Sequence, residues 1–121
     1  MITPRNFPLH FRHRSSVIKH YAIIGMAHVA DGYPLYYDAS NEVGLCVAAL
    51  NFHGFAKYQT VTPTKENITS FEFIPWVLGL FSSVEDVQKH LPHLQVTGTS
   101  FSSTLPPAPL HWIIADQEKC I

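Results

Sequence analysis

Apolar residues run without a break from Leu45 to Leu50, after the turn residues Asn41-Glu42-Val43-Gly44, and the amide Asn51 closes the run. Apolar side chains on both faces predict a strand buried on both sides, as in a layered α/β sandwich. An Asn ending such a strand needs partners, because an unsatisfied buried amide costs about 1–3 kcal/mol. Read alone, Asn51 is the cap of a turn. Upstream, Tyr21-Ala22-Ile23-Ile24-Gly25-Met26-Ala27 predicts another strand. Asp31-Gly32-Tyr33-Pro34 then makes a turn, and Leu35-Tyr36-Tyr37 begins a strand returning beside the first.

From residue 68 the period becomes helical. Thr69 with Glu72 fits a capping box, and Phe71, Ile74, Leu78 and Phe81 recur at helix spacing, a stripe that reads as core. A helix starting at Ser70 carries Pro75 past its first turn and should kink there. One starting at Pro75 has no such cost. The early start with a kink is the preferred reading. Ser82 with Glu85 forms a second box, opening a helix with Val84, Val87 and Leu91 inward, and Pro92 ends it. Leu110 to Asp116 reads as a strand, Gln117-Glu118-Lys119 as a polar turn, and Cys120-Ile121 as the opening of a hairpin partner. An unfinished partner leaves a sheet edge open to association. Two helices flanked by strands in sequence predict an α+β fold.

Composition narrows the function classes. A chain of 121 residues fits one domain and buries roughly two thirds of its unfolded surface. Hydrophobic residues make up 46%, which rules out a disordered tail. Only 14% are charged, against about 25% in ordinary domains, as expected when part of the surface normally faces further protein. The net charge of −1 gives no reason to invoke nucleic acid or an anionic membrane. No apolar stretch reaches the roughly 18–20 residues of a membrane span, and no signal-peptide pattern opens the chain. Two distant cysteines point to reduced thiols and a cytoplasmic protein.

Arg5, Arg12, Arg14 and Lys19 stand among residues 1–19 without an acid. A solvated loop joining two strands accounts for them better than a nucleic-acid-binding arm, since no binding motif follows. Of the eight histidines, His10 with His13 and His90 with His93 have short spacings. Two ligands do not make a zinc site, so no metal is expected. Asn67-Ile68-Thr69 matches the glycosylation pattern, but without a secretory signal it reads as the approach to the helix.

Three segments resemble the choloylglycine hydrolase family, which contains bile salt hydrolases and penicillin V acylases. They are Ile2-Thr3-Pro4-Arg5-Asn6-Phe7; the run from Tyr21 to Phe52, with Gly25-Met26, Asp31-Gly32-Tyr33-Pro34, Asn41-Glu42, Gly44-Leu45 and Leu50-Asn51-Phe52; and Phe71 through Ile74-Pro75-Trp76 and Ser82-Ser83-Val84-Glu85 to Leu110-His111-Trp112-Ile113-Ile114-Ala115-Asp116. The resemblance covers almost the whole chain in the family's order. It implies a slice of the four-layer αββα sandwich of N-terminal nucleophile hydrolases, antiparallel sheets with two helices. It also implies chemistry in which an N-terminal Cys attacks an amide with its own α-amino group as base, forms a tetrahedral intermediate at an oxyanion hole, and is freed by hydrolysis of the acyl-enzyme. Residue 2 here is Ile2, and neither Cys46 nor Cys120 is terminal. Residues 1–121 are therefore expected to be a partial domain, truncated at both ends and inactive as an isolated chain.

In the family, the Asn matching Asn51 contributes its backbone N–H to the oxyanion hole and its side chain to the substrate. Such a donor is typically worth about 3 kcal/mol in the transition state. Bile salt hydrolases tend to keep Asn there, whereas several penicillin V acylases carry Tyr. The resemblance therefore implies a hydrolase of glycine- or taurine-conjugated bile salts. The alternatives are a penicillin V acylase-type amidase, or a non-catalytic module that binds a sterol or acyl ligand or complements a partner chain. Two loops resemble those lining the family's steroid pocket: Met26-Ala27-His28-Val29-Ala30, with Met26, His28, Val29 and Ala30 as substrate contacts, and Phe101 to Leu105, with Phe101 and Leu105. His28 is polar where an apolar or small residue suits a sterol face. No cofactor is implied. Family members often assemble as tetramers, so a homo-oligomer of the full-length form is compatible.

Overall fold

Asp31 and Gly32 both adopt positive φ, 51° and 74°, the combination a two-residue hairpin turn requires. This turn joins the two longest strands of a computed structural model, described for residues 1–51, 54, 56–103, 105 and 107–121. The strands are β1 (Ile2–Thr3), β2 (Ile23–Ala30), β3 (Tyr33–Asn41), β4 (Cys46–Asn51) and β5 (Glu66–Thr69). Helices α1 (Phe73–Leu80) and α2 (Val84–His90) follow, then β6 (Leu94–Thr97) and β7 (Leu110–Ala115). Single 3-10 turns over Ser70–Glu72 and Leu91–His93 lead into α1 and out of α2.

The main sheet is antiparallel in the order β1-β2-β3-β4-β7. The α+β architecture predicted from sequence is present, with both helices and the returning hairpin. One pairing was not anticipated: β5 and β6 form a separate parallel ladder, Glu66 opposite Leu94 through Thr69 opposite Thr97. Parallel neighbours need a long crossover, and both helices supply it. Gly25 sits where a Cβ would lie 2.2 Å from the Asp38 carbonyl oxygen, so β2 and β3 can approach only around a glycine. Beyond it the register slips, from Met26 opposite Asp38 to Ala27 opposite Tyr36, leaving Tyr37 as a bulge.

The helices pack on one face of this sheet. Ile23, Ala39, Leu45, Val47 and Ile114 meet Ile74, Val77, Leu78 and Phe81 in one core with Val84, Val87 and Ile68. Each such buried aliphatic side chain is worth about 1.5–3 kcal/mol relative to exposure. The opposite face is open: Ile24, Met26, Leu50 and Ile113 are all more than 40% exposed. The prediction that β4 is buried on both sides therefore fails in this chain, because only Val47 of β4 is fully covered while Cys46, Leu50 and Asn51 are exposed.

Asn51 is thus not the buried amide. That position is Asn41, 6% exposed at the end of β3. Its Nδ2 donates to the carbonyls of Leu78 and Phe81 at 3.0 and 2.9 Å, and its Oδ1 accepts from the N–H groups of Val43 and Leu45. One side chain satisfies the last turn of α1 and the β3–β4 turn together.

The helix boundaries differ from the sequence reading in detail. The segment starts early, at Ser70, but as a 3-10 turn that converts to α-helix at Phe73, so Pro75 falls in the first α-helical turn and no kink is needed. Glu72 does reach back, accepting from the Thr69 N–H at 3.1 Å. The cap of α2 is Ser83 rather than Ser82, with Ser83 Oγ accepting from the Asp86 N–H at 3.2 Å. Leu91, read as inward, is 36% exposed in the turn that follows α2. Residues 4–22 form, as read, a mostly exposed loop joining β1 to β2, but its arginines have partners elsewhere in the molecule. Arg5 pairs with Glu42 and Arg14 with Glu66, and Arg12 reaches the Phe101 carbonyl.

Candidate functional site

At the end of the sheet where β4 finishes and β7 begins, the segment before β7 folds back over the helix-covered face and leaves a cavity of about 340 Å³. Its wall is apolar and aromatic: Leu35, Tyr36, Ala49, Phe71, Ile74, Phe101, Leu105, Leu110 and Trp112. Among the described residues lining it there is no Asp, Glu, Lys or Arg. The polar groups are His28, Asn51, Ser70 and the tyrosine hydroxyls. An uncharged aromatic wall with a few polar groups suits a rigid apolar ligand carrying hydroxyls.

Each polar group is set by its element. Asn51 is the last residue of β4, opposite Leu110 of β7, and is exposed at the cavity's rim. His28 lies on β2 opposite Leu35. The Tyr36 hydroxyl is 2.7 Å from Thr3 Oγ1. Burial pushes the Tyr36 phenol up, and the Thr3 hydrogen bond opposes it. Tyr33, packed behind the wall against Phe71 and Phe101, is also pushed up, first by burial and then by the Glu72 carboxylate. Both phenols stay protonated at physiological pH.

The structure brings together His28, Asn51, Phe101 and Leu105 of the residues singled out in the sequence. Met26, Val29 and Ala30 do not line the cavity. They belong to β2 rather than to a loop, and Met26 projects on the open face of the sheet, 66% exposed. Phe71, read as core, is half-buried and forms cavity wall instead. Neither cysteine lines the cavity. Cys46 is exposed, 3.0 Å from Ser40 Oγ, and Cys120 lies exposed at a bridge to Ala115. Phe52 and Thr104, part of the quoted motifs, lie outside the described residues.

Among the described residues no group of three His, Cys, Asp or Glu could hold a metal ion. His10 faces Ser16, His13 faces Thr99, and His90 meets the Asp86 carbonyl and the Phe81 ring. No helix of the described chain is long and apolar enough to cross a membrane.

Three residues that hold the cavity's outer segment escaped the sequence reading: Arg12, His13 and Tyr58. The Tyr58 hydroxyl accepts from the Leu110 N–H at 2.9 Å and donates to the Ala108 carbonyl. Nothing local in the sequence marks Tyr58. Arg12 left a trace as a cation without a nearby acid, but it reads there as part of a solvated loop.

The model of the linear amide C–N hydrolases, choloylglycine hydrolase family, matches residues 1–121. The chain belongs to the choloylglycine hydrolase family. Its family relatives include the bile salt hydrolase/transferase of Lactiplantibacillus plantarum, 52% identical over 99% of this chain and 37% of that protein. The conjugated bile acid hydrolase of Lactobacillus gasseri is 41% identical over all of this chain and 39% of its own length. Among solved structures, a variant of the conjugated bile acid hydrolase from Clostridium perfringens superposes with a TM-score of 0.85 at 35% identity, over 95% of this chain and 36% of that one. The penicillin V acylase of Agrobacterium tumefaciens, at 19% identity and a TM-score of 0.66, shares the fold. This chain thus spans a little over a third of the relatives it matches. Its sheet and helices are a slice of the N-terminal nucleophile hydrolase fold.

Proposed function

We propose that this chain supplies the acyl-side wall of an amidase acting on glycine- or taurine-conjugated bile salts, with the nucleophile coming from outside these 121 residues. The observation that carries this is the uncharged aromatic cavity with Asn51 at its rim. A steroid ring system would lie against Tyr36, Phe71, Phe101, Leu105 and Trp112, while the conjugated amide would reach the end of β4. There the Asn51 amide would contact the substrate and its N–H the developing oxyanion. Met26, in the middle of β2, and Val29 and Ala30, at its end, lie off the cavity and would contact substrate only where further chain completes the wall. The family's relatives named for bile salts support this reading over a penicillin substrate, for which the fold alone speaks.

The test is to titrate the purified chain with a taurine-conjugated bile salt below its micelle-forming range, following the change in tryptophan fluorescence against the constant emission of core-buried Trp76, and assaying free taurine. Saturable quenching without taurine release is expected, and Asn51→Ala should weaken binding by about 1 kcal/mol, the worth of one hydrogen bond. Absence of saturation overturns the cavity as a bile salt wall. Taurine release by the chain alone overturns the external nucleophile.

A further inference from the structure

Residues 11–14 read Phe-Arg-His-Arg, and two of them reach across the molecule to the segment that closes the cavity. The Arg12 guanidinium donates to the Phe101 carbonyl at 2.8 Å. It lies 5.3 Å from the centre of the Phe71 ring and 5.6 Å from that of Phe101. Those two rings meet edge to face at 5.2 Å. The backbone of Arg12 is itself fixed, its N–H donating at 2.8 Å to Glu72 Oε2. Next to it, His13 Nε2 is 3.0 Å from Thr99 Oγ1. Phe71 and Phe101 are both cavity wall, whereas Arg12 lines no part of the cavity. It stands behind the wall.

We infer that Arg12 is a positioning residue for the cavity: by clamping Phe101 against Phe71 it sets the width of the aromatic slot and so the ligands the slot admits. The clamping rests on geometry alone; the consequence for bile salts rests on the reading proposed above. A cation over two aromatic faces with a charge-assisted hydrogen bond to a carbonyl holds more strongly than either contact alone. The opposite end of the segment is independently pinned by Tyr58 at Ala108 and Leu110. Between the pins, the Phe101 N–H donates to the Leu105 carbonyl at 3.2 Å, and the Leu105 N–H to the Ser102 carbonyl at 3.3 Å. Those two amides therefore report whether the segment stays closed.

Arg12 is exposed and Phe101 lies outside the buried core, so removing the guanidinium leaves the core contacts untouched. The experiment compares wild type, Arg12→Ala and Arg12→Lys by amide hydrogen exchange and by titration with a taurine-conjugated bile salt. In Arg12→Ala, exchange at Phe101 and Leu105 should rise about tenfold, as expected from losing a cation–π contact and a charged hydrogen bond. Core amides such as Val77 and Val87 should stay unchanged, and bile salt affinity should drop several-fold. Arg12→Lys, which keeps the charge and a donor, should recover part of both effects. Unchanged exchange at residues 101 and 105, or a uniform rise across the core, overturns the clamp. A loosened segment with unaltered affinity overturns its control of the slot. If wild type binds no bile salt but the local exchange result holds, the clamp stands and the substrate reading fails.

Discussion

At the scale of single residues, two asparagines decide how this chain is understood. Both close strands, and the sequence reading asks for partners only at Asn51, taking Asn41 as a turn residue. Burial instead falls on Asn41, since α1 ends over the β3–β4 turn and presents the Leu78 and Phe81 carbonyls to it. That placement depends on a contact across nearly forty residues, which no local pattern encodes. Asn41→Ala would strand two carbonyls and two N–H groups in a dry place. Several unmade hydrogen bonds at about 1 kcal/mol each put the loss near 3 kcal/mol. Asn51→Ala, at an exposed strand end, should stay within about 0.5 kcal/mol. Urea unfolding of the two variants side by side checks this, and equal losses would mean that water reaches Asn41 and replaces its partners.

At the scale of elements, the segment before β2 is fastened to the β3–β4 turn by two residues from separate family motifs. Arg5 Nε donates to Glu42 Oε1 at 2.8 Å, a second guanidinium nitrogen meets the other carboxylate oxygen, and the Ala22 N–H adds a third donor at 3.1 Å. The Arg5 hydrogen bond, then that of Ala22, holds the Glu42 carboxyl down at about 2, from an ordinary 4.5. The Asp116 carboxyl is also lowered, first by the N–H of Val84 at the start of α2 and then by those of Glu118 and Lys119. A carboxyl depressed in the folded state stabilises fully above its unfolded value and loses that contribution as pH falls through the folded one. Thermal stability should therefore decline between about pH 4.5 and about pH 2, and Glu42→Gln should flatten that decline. Because the pair is exposed, added salt should shrink the difference between the two proteins. A variant whose pH profile parallels wild type would remove Glu42 from the account. Two residues of the motifs that carried the family resemblance, Arg5 and Glu42, thus fasten the fold.

At the scale of the whole molecule, what was legible were elements with their own period: the β2–β3 hairpin, the two helices and the hairpin after β7. The parallel β5–β6 ladder and the closing of the cavity by Arg12, His13 and Tyr58 were not, because both join residues tens of positions apart through side chains of ordinary type. One global property was foreshadowed by the low charge content. The sheet is covered on one side only, leaving Ile24, Met26, Leu50 and Ile113 between 43% and 66% exposed on the other. A four-layer sandwich requires a second sheet there, and the relatives have nearly two thirds of their length outside the matched part. An apolar sheet face of this extent does not stay bare in water. The isolated chain should bind a hydrophobic dye strongly and sediment as concentration-dependent oligomers. Placing lysine at Met26 and at Ile113, which occupy one row across the sheet through Asp38 and Ala48, should return it to monomer, because two exposed charges in the row oppose stacking of the faces. The cavity lies on the opposite, helix-covered side, so bile salt binding should survive in that double variant. Oligomers that persist would place the association at the sheet's edges instead, where β1 and the strand begun at Cys120 present unpaired backbone.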